Sequence, residues 1–371
     1  GARKLNIRSY PNDYLILGAI LLLSGFGIVM MYSASSIYAM NEFDNYMHFF
    51  LRQTKWLIIG TIIMFVLSQM SYRYLKELAY VLIILSWIIL IMGYFFKGNN
   101  PASRWLVLGG RSWMTTSDFA RVSLIIFTAF FIDKNKKYLK DWKFLFIRFT
   151  PILGISLVLI LFQPDTSTTM MIAIIIMVML FIAGADWRYL TGLSIAGVIA
   201  LILKIMNTPH AMDRFLNWND KQKVQSINAL GTGGMLGSGL GDSIIKNGFL
   251  PEAHTDFILP IVGEELGFIG IFILFILFWF LFTKGLTVVR EAPDLFSMFL
   301  SFGILISVMI YFLVNAAYVV GFAPTTGLPM PFISYGGSHI IFTFISMGIL
   351  LNIARKGRSV TNSYYRGFSY E

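Results

Sequence analysis

The chain has 371 residues, 57% of them hydrophobic and only 13% charged, with a formal net charge of +10 and no cysteine. So few polar residues would not cover a soluble protein of this size, and the lack of cysteine excludes disulfides, zinc-thiolate sites and thiol redox chemistry. Apolar runs of about 18 residues or more recur throughout, with no polar segment longer than roughly 50 residues between them, which leaves no room for a Rossmann unit or another large soluble catalytic domain.

The runs predict an all-α polytopic membrane protein of ten transmembrane helices, at about 14–33, 56–70, 78–96, 118–133, 149–163, 167–184, 189–206, 258–283, 296–321 and 339–354. The first run is read as an uncleaved helix. Ser33-Ala34-Ser35 resembles a cleavage site, but the run before it is long for a signal peptide and more spans follow. Ten crossings put both termini on one side. If that side is the cytoplasm, its segments hold 18 of the 29 Lys and Arg, and the outside loops hold 9. Residues 133–148 (DKNKKYLKDWKFLFIR) alone carry six, so the positive-inside rule orients the chain. The expected layout is a single membrane domain over 1–371, with a cytoplasmic N-terminus (1–13), a long extracellular loop between helices 7 and 8 (207–257) and a cytoplasmic tail (355–371). The high charge is then a matter of membrane orientation and not of nucleic-acid binding.

The unusual polar residues lie in or beside the outside loops. The loop after span 3 carries Arg104-Trp105 and Arg111, which suit phosphate binding or plain solvation. Asp118 and Arg121 follow at the start of span 4, three residues apart. That is an ion-pair spacing, read either as a local salt bridge or as the lining of a polar cavity facing Asp256. Asp165 sits in a short Gln-Pro-Asp turn, where it is ordinary turn chemistry. Residues 231–241 (GTGGMLGSGLG) hold six glycines, yet match neither a Walker loop nor a Rossmann fingerprint; a flexible loop is the favoured reading.

The stretch PEAHTDFILPIVGEELGFIG (251–270) brings a histidine, an aspartate and two glutamates to the start of span 8. Asp256 suits either a helix N-cap or a general base half-buried at a membrane edge. At 100° per residue Glu264 lies about 80° from Asp256 and Glu265 on the opposite face, so the three do not cluster on a continuous helix; Pro260 is a possible bend. A structural hydrogen bond to a neighbouring helix is the favoured reading of Glu265. The segment PTTGLPMPFISYGGS (324–338) suggests a rigid plug or cavity wall, because irregular backbone at membrane depth needs protein or a water-filled cavity around it. These features leave a transporter and an intramembrane enzyme both open.

GFLPEAHTDFILPIVGEELGFIG, PTTGLPMPFISYGGS, FQPDTST, and Arg104-Trp105 followed by the acid/base pair of span 4 together resemble the SEDS family, which includes FtsW, RodA and SpoVE. The resemblance runs from YSASS (32–36) to LLNIAR (350–355), and YSASS and PEAHTDF look more like FtsW or SpoVE than RodA. It implies a peptidoglycan glycosyltransferase that polymerises lipid II into β-1,4 glycan on the outer face of the bacterial cytoplasmic membrane, in septal cell-wall synthesis. A flippase for lipid II or another polyprenyl-linked lipid, and a non-catalytic division scaffold, are the alternatives. By the same resemblance Asp256 matches the family's essential aspartate. Arg104, Trp105, Arg111, Asp118, Arg121, Asp165, His254, Glu265 and Ser334 are candidates for binding substrate or diphosphate, or for lining the cavity. No organic cofactor is implied, and a divalent cation (Mg or Mn) is possible. The implied partners are a class B penicillin-binding protein, the transpeptidase, and other division-site membrane proteins, with no nucleic acid. The sequence departs from the family pattern at Asp118 and Arg121, where the family has Glu and Lys, at Ser238, often Lys, and at His339, usually a small residue.

Overall fold

A computed structural model of the chain describes residues 11–96, 105–108, 111–163, 165–207, 221–244, 255–323 and 326–367. Its helices are α1 (Asn12–Phe43), α2 (His48–Gln69), α3 (Arg73–Glu77), α4 (Ala79–Phe95), α5 (Thr116–Lys134), α6 (Trp142–Arg148), α7 (Thr150–Phe162), α8 (Thr166–Ile182), α9 (Trp187–Met206), α10 (Lys221–Thr232), α11 (Ile258–Arg290), α12 (Leu295–Val319) and α13 (Gly337–Gly367). Each predicted span coincides with a helix in its central part. Among the described residues, six helices are long and apolar enough to cross a membrane, or seven if α6 and α7, bent 49° apart, form one span. A count of ten is not reached on that measure: α4 and α8 are apolar but 17 residues long, and α5 is interrupted by charge. Three details correct the sequence reading. The predicted loop after span 3 contains an antiparallel ribbon, β1 (Trp105–Leu108) and β2 (Arg111–Thr115). The long loop 207–257 contains α10, and the tail continues as helix to Gly367.

The core is built around α5. Fifteen of its 19 residues are buried, on all faces, as expected of a helix enclosed by others and not facing lipid. α4, α8 and α12 pack on it, while α1 runs along α11 and α2 along α13. The α2–α13 contact is close because small residues let backbones approach: a methyl at Gly348 would lie 2.8 Å from the Met64 carbonyl. At one end of this pair Asn352 donates to the carbonyls of Ser68 (2.9 Å) and Met70 and accepts from the Tyr72 N–H (3.2 Å), which serves carbonyls that α2 leaves open where it ends. At the same end of the bundle Asp13, in the first turn of α1, accepts from Arg358 (3.1 Å) and lies 3.8 Å from Arg355. The start of α1 and the far part of α13 therefore lie side by side.

α11 is broken. Gly267 has φ 65° and ψ −162°, so the carbonyls of Glu264 and Glu265 and the N–H groups of Phe268 and Ile269 lose their helical partners. The glycine-rich segment answers all four. Ser238 N–H donates to Glu264 O (2.9 Å), Gly239 N–H to Glu265 O (3.0 Å), Phe268 N–H to Gly234 O (2.9 Å) and Ile269 N–H to Met235 O (3.3 Å). This segment is docked, contrary to the flexible-loop reading, and the bend comes at Gly267 and not at Pro260. The glycines are needed for contact: Gly237 has φ 80°, and a Cβ there would collide with the Glu265 carbonyl and the Gly267 nitrogen.

Two outcomes test this framework. Gly237→Ala should cost about 2–3 kcal/mol, from the left-handed φ plus the clash. Gly234→Ala, with φ 55° and open space around it, should cost only about 1 kcal/mol; thermal unfolding of both in detergent reads the difference. The second concerns Asp294, which caps α12 through a reciprocal box with Ser297 and accepts from the Tyr72 hydroxyl at 2.6 Å. Burial pushes its pKa up, but the bonds from Tyr72 and Ser297, with the Lys76 charge, outweigh that and hold it below the usual carboxylate value. A depressed folded-state pKa gives stability that is complete above the unfolded value, near 3.9, and lost as pH falls through the folded one. The melting-temperature gap between wild type and Asp294→Asn should therefore be constant above about pH 5 and shrink below about pH 4.

Candidate active site

Three aspartates from separate stretches of chain line one cavity of about 320 Å³ between α5, α8, α12 and α13: Asp118, Asp165 and Asp256. Tyr311, Tyr335 and His339 line it with them. Each is placed by local structure. β2 ends at Thr115, whose N–H donates to Ser338 Oγ at 2.8 Å, and α5 starts at the next residue. Asp118 thus falls in the first turn, where the helix dipole favours an acid. Arg121, one turn on, lies 3.2 Å from Asp118 Oδ1, and its guanidinium sits 4.5 Å over the Tyr311 ring. Both partners of the pair are more than nine-tenths buried. The local salt bridge and the cavity lining are therefore both present at Asp118, while Arg121 lies behind the wall and does not reach into the cavity.

Asp165 caps α8, accepting from the Thr168 N–H at 3.3 Å and from the Ser117 hydroxyl at 3.0 Å. Its turn chemistry is real, and it also joins the start of α8 to the start of α5. Asp256 stands just ahead of α11. The N-cap position falls on Phe257, whose side chain makes no capping bond. The Asp256 backbone carbonyl is clamped by the Tyr318 hydroxyl (2.6 Å) and Asn315 Nδ2 (3.1 Å) from α12. The same two side chains also bond the Leu328 carbonyl (3.3 and 2.8 Å), which holds the segment 326–336 against Asp256. This segment is the cavity wall expected for it. Its Phe332 has φ 67° and is buried, a strained backbone that persists because the packing around it fixes it. Burial pushes the Tyr335 phenol up, and the Arg52 guanidinium offsets this only in part; at neutral pH it is a donor.

Other sequence candidates lie elsewhere. Glu265, fully buried, accepts from Ser33 Oγ on α1 at 2.6 and 2.7 Å, a tie between helices and not a cavity group. Glu264 accepts from Ser243 Oγ and the Ile244 N–H, fastening the far end of the glycine-rich segment. Ser334 accepts from the Met330 N–H at 2.8 Å and shapes the wall from inside. Arg104 and His254 fall outside the described residues, and for Trp105 and Arg111 only the backbone in β1 and β2 is described. Tyr311 and Tyr335 are site residues that the sequence reading misses. A phenol in the middle of an apolar span, and another inside the SYGGS stretch, are the available signals. His339 stands out in the sequence only as a departure from the family pattern; its Nδ1 lies 3.4 Å from Asp118 Oδ1, and its ring stacks on Tyr311 with centroids 5.5 Å apart.

A family model described as a cell cycle protein, covering FtsW, RodA and SpoVE, matches residues 13–359. A probable peptidoglycan glycosyltransferase FtsW of Geobacter metallireducens is 38% identical over 367 residues, 95% of this chain and 97% of that protein. Stage V sporulation protein E of Bacillus subtilis is 34% identical over 362 residues, 93% and 98% of the two chains. Among solved structures, RodA of Thermus thermophilus shares the fold with a TM-score of 0.69 at 23% identity, over 92% of this chain and 96% of that one. A chain from a peptidoglycan synthase complex, described as coordinating polymerization and crosslinking, gives 0.75 at 23% identity, over 93% and 98%. With a family match over nearly its whole length and full-length relatives above one-third identity, this polytopic membrane protein belongs to the SEDS family of FtsW, RodA and SpoVE.

Proposed function

We propose that the protein is a peptidoglycan glycosyltransferase, polymerising lipid II into β-1,4 glycan strands for the cell wall. The observation that carries this is the convergence of Asp118, Asp165 and Asp256 on one cavity, in a family whose relatives bear the glycosyltransferase name. The 4-hydroxyl oxygen of the acceptor GlcNAc attacks the anomeric carbon of the donor MurNAc. Its proton passes to the Asp256 carboxylate as the C–O bond to the diphosphate breaks, and the lipid diphosphate leaves with the electron pair. An α-linked diphosphate becomes a β bond in one inverting displacement. The activated donor supplies the energy.

Asp256 is the base because its backbone is clamped at the cavity edge. Asp118 and Asp165 are buried and already engaged, the first with Arg121 and His339, the second with Ser117 and Thr168, and they act as fixed acceptors for substrate hydroxyls. The leaving diphosphate needs positive charge. Arg104 and Arg111 are the sequence candidates for it. Among the described residues no three of His, Cys, Asp and Glu converge as a metal-ligand set. The described carboxylates thus form no protein-only cage for a divalent cation; one held by a single carboxylate and the substrate diphosphate would supply positive charge to the leaving group.

The charge distribution supports cytoplasmic termini, with the cavity and the loop 207–257 facing outside; the adjacency of Asp13 with Arg355 and Arg358 fits termini on one side. A class B penicillin-binding protein is the proposed partner, supported by the fold shared with a chain of a synthase complex that couples polymerization to crosslinking. Purified protein with that partner, given lipid II and moenomycin to silence other glycosyltransferases, should form a glycan ladder on a gel. Asp256→Asn should lower the rate by at least about 100-fold, the usual worth of a general base. A ladder of equal strength from both would remove Asp256 as base. None from either, with the complex intact, would favour lipid transport or a scaffold.

A further inference from the structure

The cavity contains one group that the scheme above leaves unused. His339 is 6% exposed and lines the cavity. Its Nδ1 is taken by Asp118 Oδ1 at 3.4 Å, while Nε2 has no hydrogen-bond partner among the described residues. A buried polar nitrogen without a partner costs free energy, so its persistence in a polar cavity points to a ligand atom that completes it.

The pairing with Asp118 decides what that atom is. A carboxylate that accepts from Nδ1–H fixes the tautomer, and the neutral imidazole then carries its lone pair at Nε2. Such a nitrogen accepts a hydrogen bond and gives none. A diphosphate, which offers only acceptor oxygens, has nothing to donate to it. A saccharide hydroxyl does. Around the ring stand Asp118 and Arg121 on α5, Tyr311 on α12, and Asp165 and Asp256 across the cavity. Stacking on Tyr311 and the bond to Asp118 hold the imidazole in place.

We propose that His339 is a substrate-positioning residue whose Nε2 accepts a hydrogen bond from a saccharide hydroxyl of the substrate. The sugar then occupies the Asp118–His339 side of the cavity and its diphosphate lies away from it. This rests on the glycosyltransferase reading and adds to it the placement of the sugar.

Two substitutions separate the two ring nitrogens. The Asn side chain reaches the Nδ1 position and keeps a donor for Asp118, but has nothing where Nε2 was. The Gln side chain reaches the Nε2 position with an acceptor oxygen, but loses the bond to Asp118. Steady-state polymerisation of lipid II by the full chain, with Asp256→Asn as the inactive control, is measured alongside melting temperatures. The expected result is a fall in kcat/KM of about five- to tenfold for His339→Asn, the worth of one hydrogen bond, mainly through KM and with an unchanged melting temperature. His339→Gln should stay within about threefold of wild type.

The reverse order, with Asn active and Gln impaired, would assign His339 a purely structural role toward Asp118 and overturn the proposal. So would equal kinetics in all three proteins. Wild type that makes no polymer would sink the glycosyltransferase reading itself and this inference with it. Polymer from wild type with any of the other adverse results would sink the inference alone.

Discussion

In hydrocarbon no water is available to satisfy a broken backbone, and each unpaired amide costs several kcal/mol. That constraint has to be met at Gly267. α11 breaks there, and four backbone groups are handed to residues 234–239. The break ends the first segment of the helix at Leu266, so Glu264 and Glu265 sit at a fixed corner. One fastens the glycine-rich segment through Ser243, the other fastens α1 through Ser33. Two acids inside a span, costly in isolation, thus hold two other elements to α11.

Charge obeys the same rule at the cavity. Asp118 and Arg121 are tolerable when buried because they pair with each other, and because Arg121 spreads its charge over the Tyr311 ring. Removing either would leave the other uncompensated, which for a buried pair costs about 3–5 kcal/mol. The cation is committed to the wall. What lines the cavity among the described residues is therefore acceptor-rich: three carboxylates and an imidazole. That balance suits hydroxyl-bearing sugars and leaves the positive charge for a leaving diphosphate to be supplied from elsewhere, with Arg104 and Arg111 as the sequence candidates.

The helical positions are legible in the sequence because each is an apolar run bounded by polar residues, and Asp118, Asp165 and Asp256 are legible as acids placed beside such runs. α10 is not, because its amphipathic face is polar on average and lies inside a segment whose glycines read as loop. The β-ribbon is hidden because two short strands carry little periodicity. The docking of the glycine-rich segment is invisible for a deeper reason. Glycines permit both flexibility and close contact, and only the partner, a broken helix 30 residues further on, decides between them. Glu265 shows the converse. Helical geometry by itself separates it from Asp256, whereas its partner Ser33, in the YSASS stretch of α1, cannot be named from spacing.

The segment from Asp256 to Leu266 is held at both ends by polar clamps on its backbone. At one end Tyr318 and Asn315 grip the Asp256 carbonyl, and at the other the glycine-rich segment grips the Glu264 and Glu265 carbonyls. The role proposed for Asp256 needs its carboxylate within about 0.5 Å of a productive position, and a side chain on a freely sliding helix end would not stay there. The clamps from α12 also reach Leu328, so a shift of Asp256 would have to carry the opposite wall with it. α12 in turn packs on α5 and brings Tyr311 over Arg121. Asp256 and the Asp118–Arg121 pair are therefore positioned from one helix, and the cavity keeps its shape as a unit even though its acids come from distant parts of the chain.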